Sequence, residues 1–254
     1  MILPDSSILT NIYVAGVSDP GCLLFEKKYI TIRSMEDRLY TDEELCSLPD
    51  IPVTHLHHRE WDSRKRSSRR QIRYLTAKER PLRILEIGCG NGWLCHQLSR
   101  IPGARITGLD INFTELQQAA RVFNDAPNIR FINGDINSNR LPRLEADIII
   151  FADSIQYFWS LRKMIQSSLQ RLAPGGEIHI LDTSFYKSGE VAEATQKTLE
   201  YFTSLGFPEM ADFYFHHTRK GLRAFHPRSM FNPLSLSNRF LQHNDPFPWY
   251  CIKK

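Results

Sequence analysis

From residue 82 onward, short apolar runs alternate with longer amphipathic stretches, and this alternation leaves few architectures open. Residues 82–87, 105–109, 129–133, 146–151 and 177–181 are short and rich in branched side chains that suit a pleated surface. Between and after them, residues 92–101, 113–123, 161–172 and 190–205 read as helices. Ile148, Ile149, Ile150 and Phe151 are apolar without a break, the pattern of a strand covered on both faces. The repetition predicts right-handed βαβ units: an α/β fold with a doubly wound, mostly parallel sheet and helices on both faces. Trp249 to Lys253 read as a last strand.

Residues 1–55 read as an N-terminal extension packed on a main domain of residues 56–254. Within it, 22–25 and 29–33 suggest short strands around Glu26, Lys27 and Lys28. Thr41 with Glu44 three residues on is a capping pair, and Pro49 and Pro52 mark a loop. Residues 62–75 read as a helix capped by Asp62 or Ser63. Its Arg64, Lys65, Arg66, Arg69, Arg70 and Arg73 suggest a solvated basic face, anchored by Trp61, Ile72 and Leu75; the alternative is that its start, Trp61 and Arg64, caps a site and holds an anionic ligand such as a carboxylate or phosphate. Prolines break up the tail, where 235–243 suggest a short helix.

A net charge of +4, with 24% charged residues, is too slight to require a nucleic-acid partner. The five cysteines are odd in number and form no CxxC pair, so they read as reduced thiols in a cytoplasmic protein. Met1 to Asp5 show no basic leader, and the run 148–152 is too short to cross a bilayer; both readings point away from secretion and membranes.

Chemistry concentrates where the first strand, Arg83 to Ile87, runs into Gly88-Cys89-Gly90-Asn91-Gly92. Glycines there permit positive φ and close backbone approach, and the helix that follows offers free N–H groups. A pyrophosphate-binding loop would be GxGxxG; this one is GxGxG with Glu86 just upstream. An acid so close disfavours phosphate and suits a cation. Asp110, with Ile111 beside it, ends the second strand twenty residues after Gly90, where an acid that grips ribose hydroxyls belongs.

These segments, with Asn133-Gly-Asp-Ile and Leu172-Ala-Pro-Gly-Gly in order behind them, resemble the class I (Rossmann-like) S-adenosylmethionine-dependent methyltransferases over residues 58–185. The resemblance implies a seven-stranded sheet with the last strand antiparallel. It implies S-adenosyl-L-methionine as methyl donor, with Asp135 receiving the adenine amino group and Ile136 packing on the ring. Glu86, Gly88, Cys89, Gly90, Gly92, Asp110 and Ile111 complete the expected cofactor set, with Ala152, Asp153 and Ser154 after the fourth strand.

The acceptor half is less legible. The segment from Asp153 to Tyr157 should lie beside the methyl group, at the carboxyl edge of the sheet. It is neither Asn/Asp-Pro-Pro-Tyr nor a Pro-Cys pair, which lowers the case for a nucleic-acid base. Trp61, Arg64, Tyr157, His216 and His217 are the candidate acceptor contacts, and Tyr157, His216 and His217 the catalytic ones. Adjacent histidines do not face one ligand readily, and no HxxxH or CxxC spacing occurs, so no metal is expected. The reading is methyl transfer to a small-molecule or glycan-like acceptor. RNA methylation, suggested by the basic helix, and a non-catalytic cofactor-binding regulatory domain are the alternatives.

Overall fold

The computed structural model describes residues 12–15, 20–138, 140–235 and 245–254. In chain order the elements are β1 (Ile12–Val14), α1 (Pro20–Met35), α2 (Asp42–Ser47), α3 (His58–Thr76), β2 (Arg83–Ile87), α4 (Trp93–Ser99), β3 (Arg105–Asp110) and α5 (Phe113–Val122). Then come β4 (Ile129–Asn133), β5 (Ala146–Ala152), α6 (Leu161–Arg171), β6 (Leu172–Leu181), α7 (Val191–Ser204), α8 (Arg219–Arg223), β7 (Arg228–Phe231) and β8 (Trp249–Lys253).

One sheet runs β1-β4-β3-β2-β5-β6-β8-β7. The first six of these pair in parallel, while β8 runs antiparallel to β6 and β7 to β8. Chain order proceeds outward from β2 in one direction and from β5 in the other. The crevice between their carboxyl ends is therefore the switch point at which such sheets bind ligands. The described residues thus give eight strands, not the expected seven, because β1 adds a parallel edge and β7 a second antiparallel strand.

The strands are buried on both faces, and their two-residue period sorts side chains between two cores. Ile84, Ile106, Ile148 and Ile150 pack with Leu75, Leu94, Leu98 and Leu116 from α3, α4 and α5. Leu85, Ile87, Ile149 and Phe151 pack on the other side with Leu161, Met164 and Ile165 of α6. Each fully buried side chain of this kind contributes about 1.5–3 kcal/mol, so the parallel centre of the sheet is the rigid base of the site.

Residues 22–25 and 29–33 are not strands; both lie in α1. Phe25, Tyr29 and Ile32 recur at helical spacing and pack together with Phe202 and Met210. Tertiary contact decides here over the β-branched run Ile30-Thr31-Ile32. α3 begins at His58 rather than Asp62, and His57 at its cap position makes no side-chain capping bond; its Nε2 lies 2.8 Å from Glu36 O instead. The expected box at Thr41 is present: Glu44 N donates to Thr41 Oγ1 and Thr41 N to Glu44 Oε2. The helix expected at 235–243 falls, apart from Ser235, outside the described residues.

α3 is also not a solvated basic face. Arg66 and Arg70 both bond Asp245, at 2.5 Å each, and Lys65 pairs with Asp50. Arg64 reaches Asp153 at 2.5 Å and Glu60 at 3.0 Å. The charges tie the helix to loops distant in sequence. Among the described residues, no helix is long and apolar enough to cross a membrane.

Candidate functional site

At the carboxyl end of β2 the chain turns through Gly88, Gly90 and Gly92 with φ of 75°, 52° and 74°. A Cβ on Gly88 would stand 2.5 Å from Ser154 Cβ, and one on Gly92 2.8 Å from the Phe131 ring. The loop is therefore both left-handed and in direct contact with β4 and β5, which only glycine permits. Asp110, at the end of β3, anchors it: Gly90 N donates to Asp110 Oδ2 and Asn112 N to Oδ1, both at 2.8 Å. Ser154 Oγ donates to Ile87 O at 2.6 Å and closes the loop from the β5 side.

A cavity of about 480 Å³ lies above this loop, within the size range of small-molecule sites. Gly88, Gly90, Asp110, Ile111, Asp135, Ile136, Asp153 and Ser154 line it, as does Tyr157. Asp135 Oδ1 accepts from Asn137 N at 2.8 Å, which fixes the carboxylate at the end of β4.

Glu86, Cys89, Gly92 and Ala152 are not among the lining residues; the structure places them beneath or beside the loop. Glu86 is buried and receives the Cys95 thiol at 3.0 Å. Burial pushes its carboxyl up to about 8, so it is largely neutral at pH 7 and is no counter-ion for an ammonium. Its neighbour across the sheet is Gly108. A Cβ there would lie 2.8 and 2.9 Å from the thiols of Cys89 and Cys95, so these small groups fill the space under the loop.

The sequence reading missed Glu115. It stands in the first turn of α5, lines the cavity and receives Asn112 Nδ2 at 3.0 Å. Burial, then the charge of Asp110, pushes it up to about 7. The helix-start pattern Asn112-x-x-Glu115 was its signal. Also missed were the aromatic walls. Phe25 and Tyr29 come from α1 and Phe213 from the turn after α7, with Phe25 and Phe213 centroids 5.2 Å apart.

A second cavity, about 920 Å³, adjoins the first; Tyr29, Asp153 and Tyr157 line both. Arg64, Asp182, Tyr214 and His216 also line it. Asp153 and Asp182 end the adjacent strands β5 and β6, and both hold left-handed backbone, φ 52° and 57°. Such residues cost on the order of 1–3 kcal/mol each and cluster at functional sites. Gln156 Nε2 donates to Asp153 Oδ1 at 2.7 Å, and its Oε1 accepts from Thr183. Burial pushes Asp182 up to about 6.

Tyr157, Arg64 and His216 thus meet along one cavity, whereas Trp61 and His217 do not line it. Trp61 is 4% exposed, donates from Nε1 to Tyr40 Oη at 2.6 Å and packs edge-on against Trp93. Its ring supports Arg64 from below. The His217 ring is buried with Nε2 3.0 Å from Ile155 O, a bond that holds the chain after β5. His216 is half-buried against Tyr186 and Tyr214, with Nε2 3.0 Å from Thr198 Oγ1. Burial, with His217 adding to it, lowers its pKa.

One cluster of His, Cys and carboxylate atoms occurs among the described residues: Glu177, His179 and Cys251. It is committed elsewhere. Glu177 bonds Lys78 at 2.8 Å and Tyr74 Oη at 3.0 Å, and His179 Nδ1 accepts from Trp249 Nε1. None of the three lines either cavity.

Comparison with known proteins agrees with this geometry. Residues 84–176 match the model of a family described as a methyltransferase domain. The chain is 43% identical over 61 residues to a malonyl-[acyl-carrier protein] O-methyltransferase of Halalkalibacterium halodurans, which is 24% of this chain and 22% of that protein. It is 31% identical over 137 residues to the Bacillus anthracis protein of the same name, or 49% of this chain and 48% of that one. The match therefore spans between about a fifth and a half of these relatives' length. In fold, the N-methyltransferase NodS from Bradyrhizobium japonicum, solved with S-adenosyl-l-homocysteine, superposes with a TM-score of 0.53 at 16% identity. That superposition covers 88% of this chain and 98% of NodS. A glycine loop at the sheet's switch point, acids at the ends of β3 and β4 and a match to a methyltransferase domain over residues 84–176 make this chain similar to the class I, Rossmann-like S-adenosylmethionine-dependent methyltransferases.

Proposed function

We propose that this chain transfers the methyl group of S-adenosylmethionine to a small-molecule acceptor held in the larger cavity. The observation that carries the reading is the seam: two cavities of different character, one over the glycine loop and one under α1 and α3, sharing Tyr29, Asp153 and Tyr157. The curated relatives, named for O-methylation of a malonyl group on an acyl carrier protein, support an acceptor of small organic character.

The smaller cavity fits the donor. Asp110 has lone pairs left for ribose hydroxyls, Asp135 and Ile136 suit an amino-purine edge and face, and the cradle at Gly88 and Gly90 admits close approach. The loop's GxGxG spacing is not the GxGxxG that seats a pyrophosphate. Bound there, S-adenosylmethionine supplies an electrophilic methyl carbon on a sulfonium. The chain's part is alignment, which is worth roughly 7–11 kcal/mol of a barrier when reacting atoms are held in line. Tyr29 and Tyr157 wall the seam, Arg64 holds Asp153 in place, and the aromatic cover of Phe25 and Phe213 excludes water. Tyr157 and His216 are the candidate residues to touch the acceptor; with its lowered pKa, His216 is a neutral proton acceptor at pH 7. Within the N-terminal extension, α1 closes the site through Phe25 and Tyr29.

Engagement of Arg64, Lys65, Arg66 and Arg70 by acids of the same chain speaks against a nucleic-acid acceptor. The test is incubation with methyl-labelled cofactor and fractionated cell extract. Label should enter the small-molecule fraction. Label confined to RNA would overturn the reading.

A further inference from the structure

Arg59 lines the larger cavity too but is exposed; among the cations there that are withdrawn from solvent, Arg33 is the least committed. Arg64 bonds Asp153 and Glu60, and Arg38 bonds Glu60 at 2.6 Å. Arg33 has only Glu36, at 3.8 Å, beyond hydrogen-bond length. Glu36 is itself shared with Arg38 and Tyr201. Arg33 Nε is buried without a hydrogen-bond partner, and the guanidinium lies 5.5 Å from the Tyr29 ring centroid. A buried guanidinium N–H without an acceptor is costly, and an anion that reaches it recovers that cost.

Tyr29 sits one turn before Arg33 on α1, and Tyr157 packs edge-on against Tyr29 at 6.2 Å. Burial raises the pKa of both phenols, so both are hydrogen-bond donors at neutral pH. Both line the seam where the two cavities join.

We propose that Arg33, with Tyr29 and Tyr157, forms an anion site that binds a carboxylate of the methyl acceptor beside the seam; this rests on the methyl-transfer reading. A planar carboxylate matches the guanidinium fork, which a point charge does not. Carboxylates outnumber cations along the cavity, which disfavours a phosphate dianion about twice as much as a carboxylate monoanion, and an ammonium is turned away from this end by Arg33 itself. The acceptor is therefore an organic acid that enters as a monoanion.

The test uses the full chain saturated with S-adenosylhomocysteine and three probes of one shape: 3-phenylpropionate, its neutral amide, and phenyl phosphate. Ligand-observed NMR titration should show the carboxylate binding at least about ten-fold tighter than either other probe, the worth of one charged hydrogen bond. Arg33→Gln should reduce the carboxylate to the affinity of the amide, and Arg33→Lys should restore part of it. S-adenosylhomocysteine affinity should stay within about three-fold in both variants, since Arg33 lines only the larger cavity. Equal binding of acid and amide, a preference for the phosphate, or an unchanged carboxylate affinity in a folded Arg33→Gln variant would overturn the proposal. Failure of S-adenosylhomocysteine to bind while the carboxylate still depends on Arg33 would remove the methyl-transfer reading and leave the anion site standing.

Discussion

Replacement of Gly88 by alanine tests the cofactor loop through its geometry alone. The backbone there has φ 75°, and left-handed conformation costs an L-residue about 1–2 kcal/mol. The new Cβ would also stand 2.5 Å from Ser154 Cβ, inside van der Waals contact. Overpacking of this kind costs typically about 1–3 kcal/mol. The sum is a loss of about 2–5 kcal/mol, read by urea unfolding. Ser154→Gly supplies the control, because it removes the atoms that are struck while giving up the Ser154 Oγ to Ile87 O bond, worth about 0.5–1.5 kcal/mol. In the double variant the overlap is gone and the strain of φ remains. The two substitutions should therefore couple favourably by about 1–3 kcal/mol. The single Gly88→Ala variant should also bind S-adenosylhomocysteine about ten-fold or more weakly, because both Gly88 and Ser154 line the smaller cavity. Wild-type stability in Gly88→Ala, or additive effects within about 0.5 kcal/mol, would refute the packing argument.

Asp110→Ala should weaken S-adenosylhomocysteine by about 10- to 150-fold in calorimetry, the loss of one charged hydrogen bond of about 1.5–3 kcal/mol. An unchanged affinity in a folded variant would remove Asp110 from the site. Glu86 predicts a pH dependence: its folded pKa, about 8, lies above the ordinary 4.5, so the folded state holds the proton more tightly. Its contribution is fully present below the ordinary carboxyl range and lost as pH rises to about 8, and Glu86→Gln should flatten that decline in urea unfolding at pH 5.5 and 8. A steeper decline in the variant would contradict the assignment. Chelation with EDTA should leave methyl transfer unchanged, because Glu177 and His179 are engaged by Lys78, Tyr74 and Trp249; loss restored by added metal would show otherwise.

The parts of the fold legible in sequence were those set by local pattern. β5 declares itself through an unbroken apolar run, β2 through branched residues that lead into glycines, two of which contacts with Ser154 and Phe131 require. The errors fall where a distant partner decides. Residues 29–33 look like a strand until Phe202 and Met210 supply the surface that rewards a helical face. The arginines of α3 look solvated until Asp153 and Asp245 arrive from far along the chain. Trp61 and His217 carry polar handles whose partners, Tyr40 Oη and Ile155 O, no spacing rule reveals. The same holds for Glu86: its position in β2 is legible, but its raised pKa follows from burial, which outweighs the opposing bond from the Cys95 thiol. The aromatic walls from α1 and the turn at Phe213 were missed because they belong to elements that carry no motif.

The most direct test of the account is isothermal calorimetry on the full chain with S-adenosylhomocysteine and with NAD. A cavity over a GxGxG loop, flanked by Asp110, Glu115 and Asp135, predicts binding of S-adenosylhomocysteine at low micromolar affinity or better, roughly −8 kcal/mol. It predicts no heat from NAD, whose pyrophosphate needs the GxGxxG spacing that this loop lacks. Binding of NAD with no response to S-adenosylhomocysteine would contradict the assignment of this cavity and the methyl-transfer function built on it.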